Sequence, residues 1–171
     1  WIISLMGCAR NPVTGKREIV LVSESQEIAM GAQSHQQVRE EYGVVQSENL
    51  QRYLQTIGNK LAAVSHRPGL DWHFTVVDSP VVNAFAIPGG YIYLTRGILA
   101  YLNNEAELAG VVGHEIGHVT AQHIMRRIGQ AQLMTVGLAT AQVVAGAASD
   151  TQTGQVVGTA LPALEVGGSL L

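Results

Sequence analysis

The chain has 171 residues, enough for one domain with a sizeable core. Its net charge is −3 and only 13% of its residues are charged, so it lacks the clustered Lys and Arg that nucleic-acid binding requires, and that class of partner is excluded. Hydrophobic residues make up 47%, and the single cysteine, Cys8, excludes an intrachain disulfide.

Residues 1 to 8 read Trp-Ile-Ile-Ser-Leu-Met-Gly-Cys, an apolar run that ends on a small residue before the cysteine. This resembles the end of a bacterial lipoprotein signal peptide, in which Cys8 would be lipidated and would anchor the chain to a membrane. The alternative is a short buried strand that happens to contain a cysteine. There is no initiator Met or basic leading region, so the chain is expected to be truncated at this end. Residues 8–22 are polar around Pro12 and Gly15 and read as a tether.

Ser25 is placed to cap a helix that runs to about Tyr42 and stops at Gly43. Ser47 opens a second helix, in which Leu50, Tyr53, Leu54, Ile57, Leu61 and Val64 follow the 3.6-residue period up to Arg67-Pro68-Gly69. From Asp71 the period changes to two. Trp72, Phe74 and Val76 alternate with His73, Thr75 and Val77 in a half-buried strand that Asp78-Ser79-Pro80 ends. Asn83 to Ala86, the turn Ile87-Pro88-Gly89-Gly90 and Tyr91 to Thr95 read as strand, turn, strand, with Pro88 favouring an edge. Ile98 to Leu102 suit a short helix. Asn104, with Glu107 three residues on, caps a long helix expected to reach about Arg127.

That last helix carries His114-Glu115-Ile116-Gly117-His118. Positions four apart on an α-helix differ by only about 40° around the axis, so His114 and His118 share a face and both imidazoles can reach one Zn²⁺. Glu115 stands beside them without ligating and can take a proton from water as general base. With six histidines in 171 residues, a chance His-Glu-x-x-His is expected in only about 1% of such chains. Gly110, Gly113 and Gly117 form a stripe beside the histidines, each costing about 1 kcal/mol against Ala, which suggests a close neighbour on that face. His123 lies five residues past His118, about 140° away on a continuous helix, so it is read as structural or supporting and not as a ligand. His35, His66 and His73 have no partner spacing and are read as surface or ordinary packed residues. Residues 133–148 are apolar, but 16 residues fall short of the roughly 20 needed to span a membrane, so a buried helix is favoured over membrane or lid contact.

Taken together, Asn83 to Tyr93, Thr95-Arg96-Gly97, Glu105 to Val119 and Gln122-His123 resemble the gluzincin metallopeptidases of family M48. Asn11 to Gly15 and Ser23 to Ala29 are similar to its bacterial periplasmic lipoprotein branch. The resemblance implies an α+β, zincin-like fold, with helices packed on a small sheet and an edge strand over the zinc helix. It implies one Zn²⁺ held by His114, His118 and a glutamate from a later Glu-x-x-x-Asp element, with Glu115 as base. Glu165 lacks the following Asp and is not that ligand, so the third ligand is expected beyond Leu171 and this chain alone is expected to be inactive. Residues 1–7 would be the end of a signal peptide, 8–22 a tether and 23–171 an incomplete catalytic domain. Asn83, Ala84, Phe85 and Ala86 would bind an extended polypeptide by strand addition, unless they form an ordinary core strand. The implied activity is endopeptidase cleavage of envelope proteins in the bacterial periplasm, from an outer-membrane anchor. The alternative is a non-catalytic chaperone or assembly-factor lipoprotein, for which a general base would be superfluous.

Overall fold

The structure is a computed structural model and describes residues 8–10, 17–19, 22–131 and 134. The expected signal-peptide end at residues 1–7 and the apolar segment at 133–148, apart from helical Met134, lie outside the described residues. Within the segment expected as a tether, β1 (Cys8–Arg10) and β2 (Arg17–Ile19) pair antiparallel, with Cys8 opposite Ile19.

Helix α1 (Glu24–Tyr42) starts two residues earlier than the sequence suggests. Ser23 caps it, accepting from the Gln26 N–H while the Gln26 side chain returns to the Ser23 N–H, and Gly43 ends it at φ 69°. Helix α2 (Glu48–Ala63) begins on the expected cap, Ser47. Strands β3 (His73–Val77), β4 (Ala84–Ile87) and β5 (Tyr91–Thr95) form a sheet in the order β3-β5-β4, with β3 parallel and β4 antiparallel to the central β5. Pro88 to Gly90 turn the chain between β4 and β5, and Gly89 and Gly90 both have positive φ. The short helix α3 (Arg96–Leu99) is capped by Thr95 and falls slightly earlier than expected.

Helices cover both faces of the sheet. On one side Val77, Phe85, Ile87 and Tyr93 pack with Val38 of α1. On the other, Phe74, Val76, Ala84, Ala86, Ile92 and Leu94 pack with α2 and with α4 (Glu105–Thr120), through its Leu108, Val112, Ile116 and Val119. Double coverage explains why all four residues of β4 are buried instead of alternating.

The two outer edges of the sheet differ. Along β3, Gln51 and Gln55 of α2 stand in for a missing strand. The Val76 N–H donates to Gln51 Oε1 at 2.9 Å and the Phe74 N–H to Gln55 Oε1 at 3.1 Å, while their amide groups donate to the carbonyls of Val76 and Trp72, each at 2.9 Å. Among the described residues, no strand or side-chain amide covers the outer edge of β4 in this way.

The helix expected to continue to about Arg127 does not. Helix α4 ends at Thr120 and Gln122 adopts φ 54°, the one non-glycine positive φ among the described residues; helix resumes over residues 123–131. Gln122 is neither Gly nor Asn, so nothing local announces the break. It follows from contacts described below.

Candidate metal centre

Helix α4 is fixed at its start by Asn104, whose side chain accepts from the Glu107 N–H at 3.0 Å, while the Glu107 carboxylate accepts from the Asn103 N–H at 2.8 Å. Its buried stripe of Leu108, Val112, Ile116 and Val119 recurs at helical spacing and sets its rotation on the sheet. That rotation brings Glu115 into the interior at 4% exposure, while His114 is exposed and His118 half-buried at the border of the open face.

The two imidazoles converge. Their Nε2 atoms lie 3.0 Å apart and their rings meet edge-on at 80°. Two nitrogens at about 2.0–2.1 Å from one tetrahedral ion would stand about 3.4 Å apart, so a few tenths of an ångström of opening admits a zinc-sized cation. The donor set therefore fits two ligands. Among the described residues, no cluster of three or more His, Cys, Asp or Glu side chains suited to a metal is present.

Burial pushes the Glu115 carboxyl above the usual carboxylate range, with the neighbouring His114 pulling the other way. A carboxyl that holds its proton more tightly than usual, beside two imidazoles, is suited to proton exchange. Burial, followed by His114, His123 and Arg127, lowers the pKa of His118, which favours the neutral ring that a metal needs.

The glycine stripe differs from expectation. At Gly110, Gly113 and Gly117 nothing among the described residues, apart from the adjacent residues and the helix's own backbone, lies within 4 Å of where a Cβ would stand, so among the described residues that face of α4 is open.

Strand β4 packs against α4, but the four residues expected to bind an extended chain are not equivalent. Asn83 precedes β4, and both its backbone groups are engaged: its N–H donates to Thr95 Oγ1 at 3.2 Å and its carbonyl accepts from the Thr95 N–H at 3.1 Å. In an antiparallel pair the bonded positions alternate. Phe85, opposite Tyr93, therefore also turns its backbone groups inward, whereas Ala84 and Ala86 turn theirs to the outer edge. Cys8 lies in β1, and its strand is not part of the sheet beside α4.

Spacing along the chain does not give the partners of three histidines. His35 and His73 both stack on Tyr91, with ring centroids 4.7 and 4.5 Å away, and His35 Nδ1 lies 2.6 Å from the Tyr93 hydroxyl. His123, placed on the far side by a continuous-helix count, has its Nδ1 only 2.8 Å from Nδ1 of His118. The count fails because the helix breaks between the two residues.

The profile described as Peptidase family M48 matches residues 48–170. The chain is 36% identical over 121 residues to the beta-barrel assembly-enhancing protease of Yersinia pestis, covering 71% of this chain and 25% of that protein. It is 45% identical over 67 residues to the mitochondrial metalloendopeptidase OMA1 of Arabidopsis thaliana, covering 39% and 14%. With human OMA1 the identity is 27% over 131 residues, covering 72% and 25%. The chain thus spans at most about a quarter of the length of these three curated relatives.

Proposed function

This chain belongs to peptidase family M48, and on that premise we propose that the intact protein is a zinc-dependent endopeptidase. His114 and His118 would hold the metal, and a carboxylate from outside the described residues would complete the set. When bound, zinc supplies Lewis acidity toward a scissile carbonyl and makes water easier to deprotonate. Glu115 would take a proton from the attacking water as the water oxygen bonds to the carbonyl carbon, and would give it to the amine nitrogen as the C–N bond breaks. The outward backbone groups of Ala84 and Ala86 pair with an extended substrate along β4, and the neighbouring pockets select its side chains. Asn83 and Phe85 act less directly, by fixing β4 on β5. Residues 23–171 form part of the catalytic domain.

The observation that carries this reading is the 3.0 Å convergence of the two Nε2 atoms beside a buried glutamate. A holding protein that did not cut would have no use for that carboxylate. We further assign the substrates to misassembled proteins of the bacterial envelope, reached from a lipid on Cys8 that anchors the protein at the periplasmic face of the outer membrane. In support, the names of all three relatives just described say protease or metalloendopeptidase, and one of them says beta-barrel assembly-enhancing.

In the full-length protein, Glu115→Gln should keep its zinc, measured by metal analysis, while casein cleavage falls by about 10²–10⁴-fold. Undiminished cleavage at full zinc content would defeat the base assignment. Metabolic labelling with palmitate tests the anchor: label on the wild type and none on Cys8→Ser is expected, and an unlabelled wild type removes it.

A further inference from the structure

The break at Gln122 turns a residue that should face away into a neighbour of the candidate metal site. A left-handed glutamine is strained and persists only where its surroundings hold it. Here they do so from several sides. The Gln122 N–H donates to the Val119 carbonyl at 3.0 Å, and the Gln122 carbonyl accepts from the Arg126 N–H at 3.0 Å, starting the next helical stretch. Its side-chain amide reaches Oε2 of Glu27 at 3.5 Å. Glu27 is itself buried in α1 and paired with Arg67 at 2.9 Å. Arg67 also reaches the Val119 carbonyl at 3.5 Å, so the break is tied to α1 and to the segment after α2.

Its consequence is the contact between Nδ1 of His118 and Nδ1 of His123, with the rings crossed at 72°. Both nitrogens of His118 are then committed: Nε2 faces His114 and Nδ1 faces His123. A hydrogen bond between two Nδ1 atoms holds one proton. If His123 donated it, the His118 proton would sit on Nε2, where it would block a metal. If His118 donates it, Nε2 keeps its lone pair directed at the site.

We propose that His123 is a positioning residue that accepts the Nδ1 proton of His118, fixing its tautomer and ring angle so that Nε2 is presented to the metal. This inference rests on the zinc reading above. His123 touches neither the metal nor the substrate and acts only through His118. The partner of a liganding histidine is commonly a carboxylate or a carbonyl; here a second imidazole fills that place, brought in by a strained turn.

The test uses the full-length protein, with zinc affinity read by competition with a chelating dye and the proton position on His118 read by long-range ¹H–¹⁵N spectra of the metal-free form. His123→Leu should weaken zinc binding by about 10–100-fold, the usual effect of losing such a partner. His123→Asn, whose amide oxygen stands close to the position of the lost Nδ1, should restore affinity to within about threefold of the wild type. The metal-free wild type and His123→Asn should carry the His118 proton on Nδ1, and His123→Leu should move it to Nε2. Affinity unchanged in His123→Leu, an Asn variant as weak as Leu, or an Nε2 proton in the wild type would each overturn the assignment. Because His123 is exposed, these variants should fold. A wild type that takes up no zinc would instead sink the metal reading, and this inference with it.

Discussion

Removing the Glu27 carboxylate should destabilise the protein by about 3–5 kcal/mol, the cost of leaving one half of a buried ion pair behind. Glu27 is 2% exposed and accepts from Arg67 Nη1 at 2.9 Å; its bonds from the Gly89 N–H at 3.4 Å and the Gln122 amide at 3.5 Å are long and add little. The penalty therefore comes from Arg67. Its side chain is 10% exposed, and a guanidinium cannot shed its charge. Glu24 is the nearest substitute, but its Oε1 lies 3.9 Å from Arg67 Nη2 and its side chain is 67% exposed, so it offsets only a small part. Against a total stability of about 5–15 kcal/mol, the loss is large. Urea unfolding of Glu27→Ala measures it, and the double variant Glu27→Leu with Arg67→Met should recover most of it, since replacing both charges by apolar groups removes the unpaired ion. A loss below about 1 kcal/mol in Glu27→Ala, or a double variant no better than the single, would refute the reasoning.

Gln51→Leu should cost about 1–3 kcal/mol in urea unfolding, because the buried Val76 N–H loses its acceptor; a loss below about 0.5 kcal/mol would show that this edge is not held as described. A pH effect is expected at His35, whose pKa is lowered by burial, then by Arg39 and His73. Burial also raises the pKa of Tyr93, so its hydroxyl keeps its proton and can donate it to a neutral His35. With the folded pKa below the unfolded value of about 6.5, the contribution is complete above that pH and is lost as pH falls through the folded value, because the unfolded chain takes up the proton first. Stability should therefore fall less steeply below pH ~6.5 in His35→Gln than in the wild type, and parallel curves would count against it.

Much of this could be read from single residues. The Ser47 cap, the apolar period of α2, the alternation from Trp72 to Val77 and the Asn104 cap all act over a few residues, and each element appears where those signals put it. The start of α1 was also legible, since Ser23 and Gln26 form the capping box that Ser25 does not. The pairing of His114 with His118 needed only helix geometry. What escaped depends on other layers of the fold. The full burial of β4 requires α1 on one face and α4 on the other, and the turn at Gln122 lies against the buried carboxylate of Glu27, 95 positions earlier in the chain. Once that turn is missed, any azimuth counted from His118 to His123 is wrong.

The unequal edges of the sheet bear on how a substrate could bind. An exposed edge is a template for pairing with any extended chain, and folds usually cover, charge or shorten it. Gln51 and Gln55 do this for β3 with two amides one helical turn apart, each satisfying both an N–H and a carbonyl of the strand or its approach. An incoming peptide cannot pair there without displacing both. Strand β4 receives no such cover among the described residues, although it lies against the helix that carries Glu115. Its small side chains, Ala84 and Ala86, face α4 within the core, which keeps the strand close to that helix. Alternation leaves the backbone groups of those same two residues pointing outward, about 6.8 Å apart along the strand. An extended polypeptide pairing with them would run alongside α4 in a register fixed by two residues. For such a substrate the register, and with it the bond presented to Glu115, would be set by the backbone before any side-chain pocket acts.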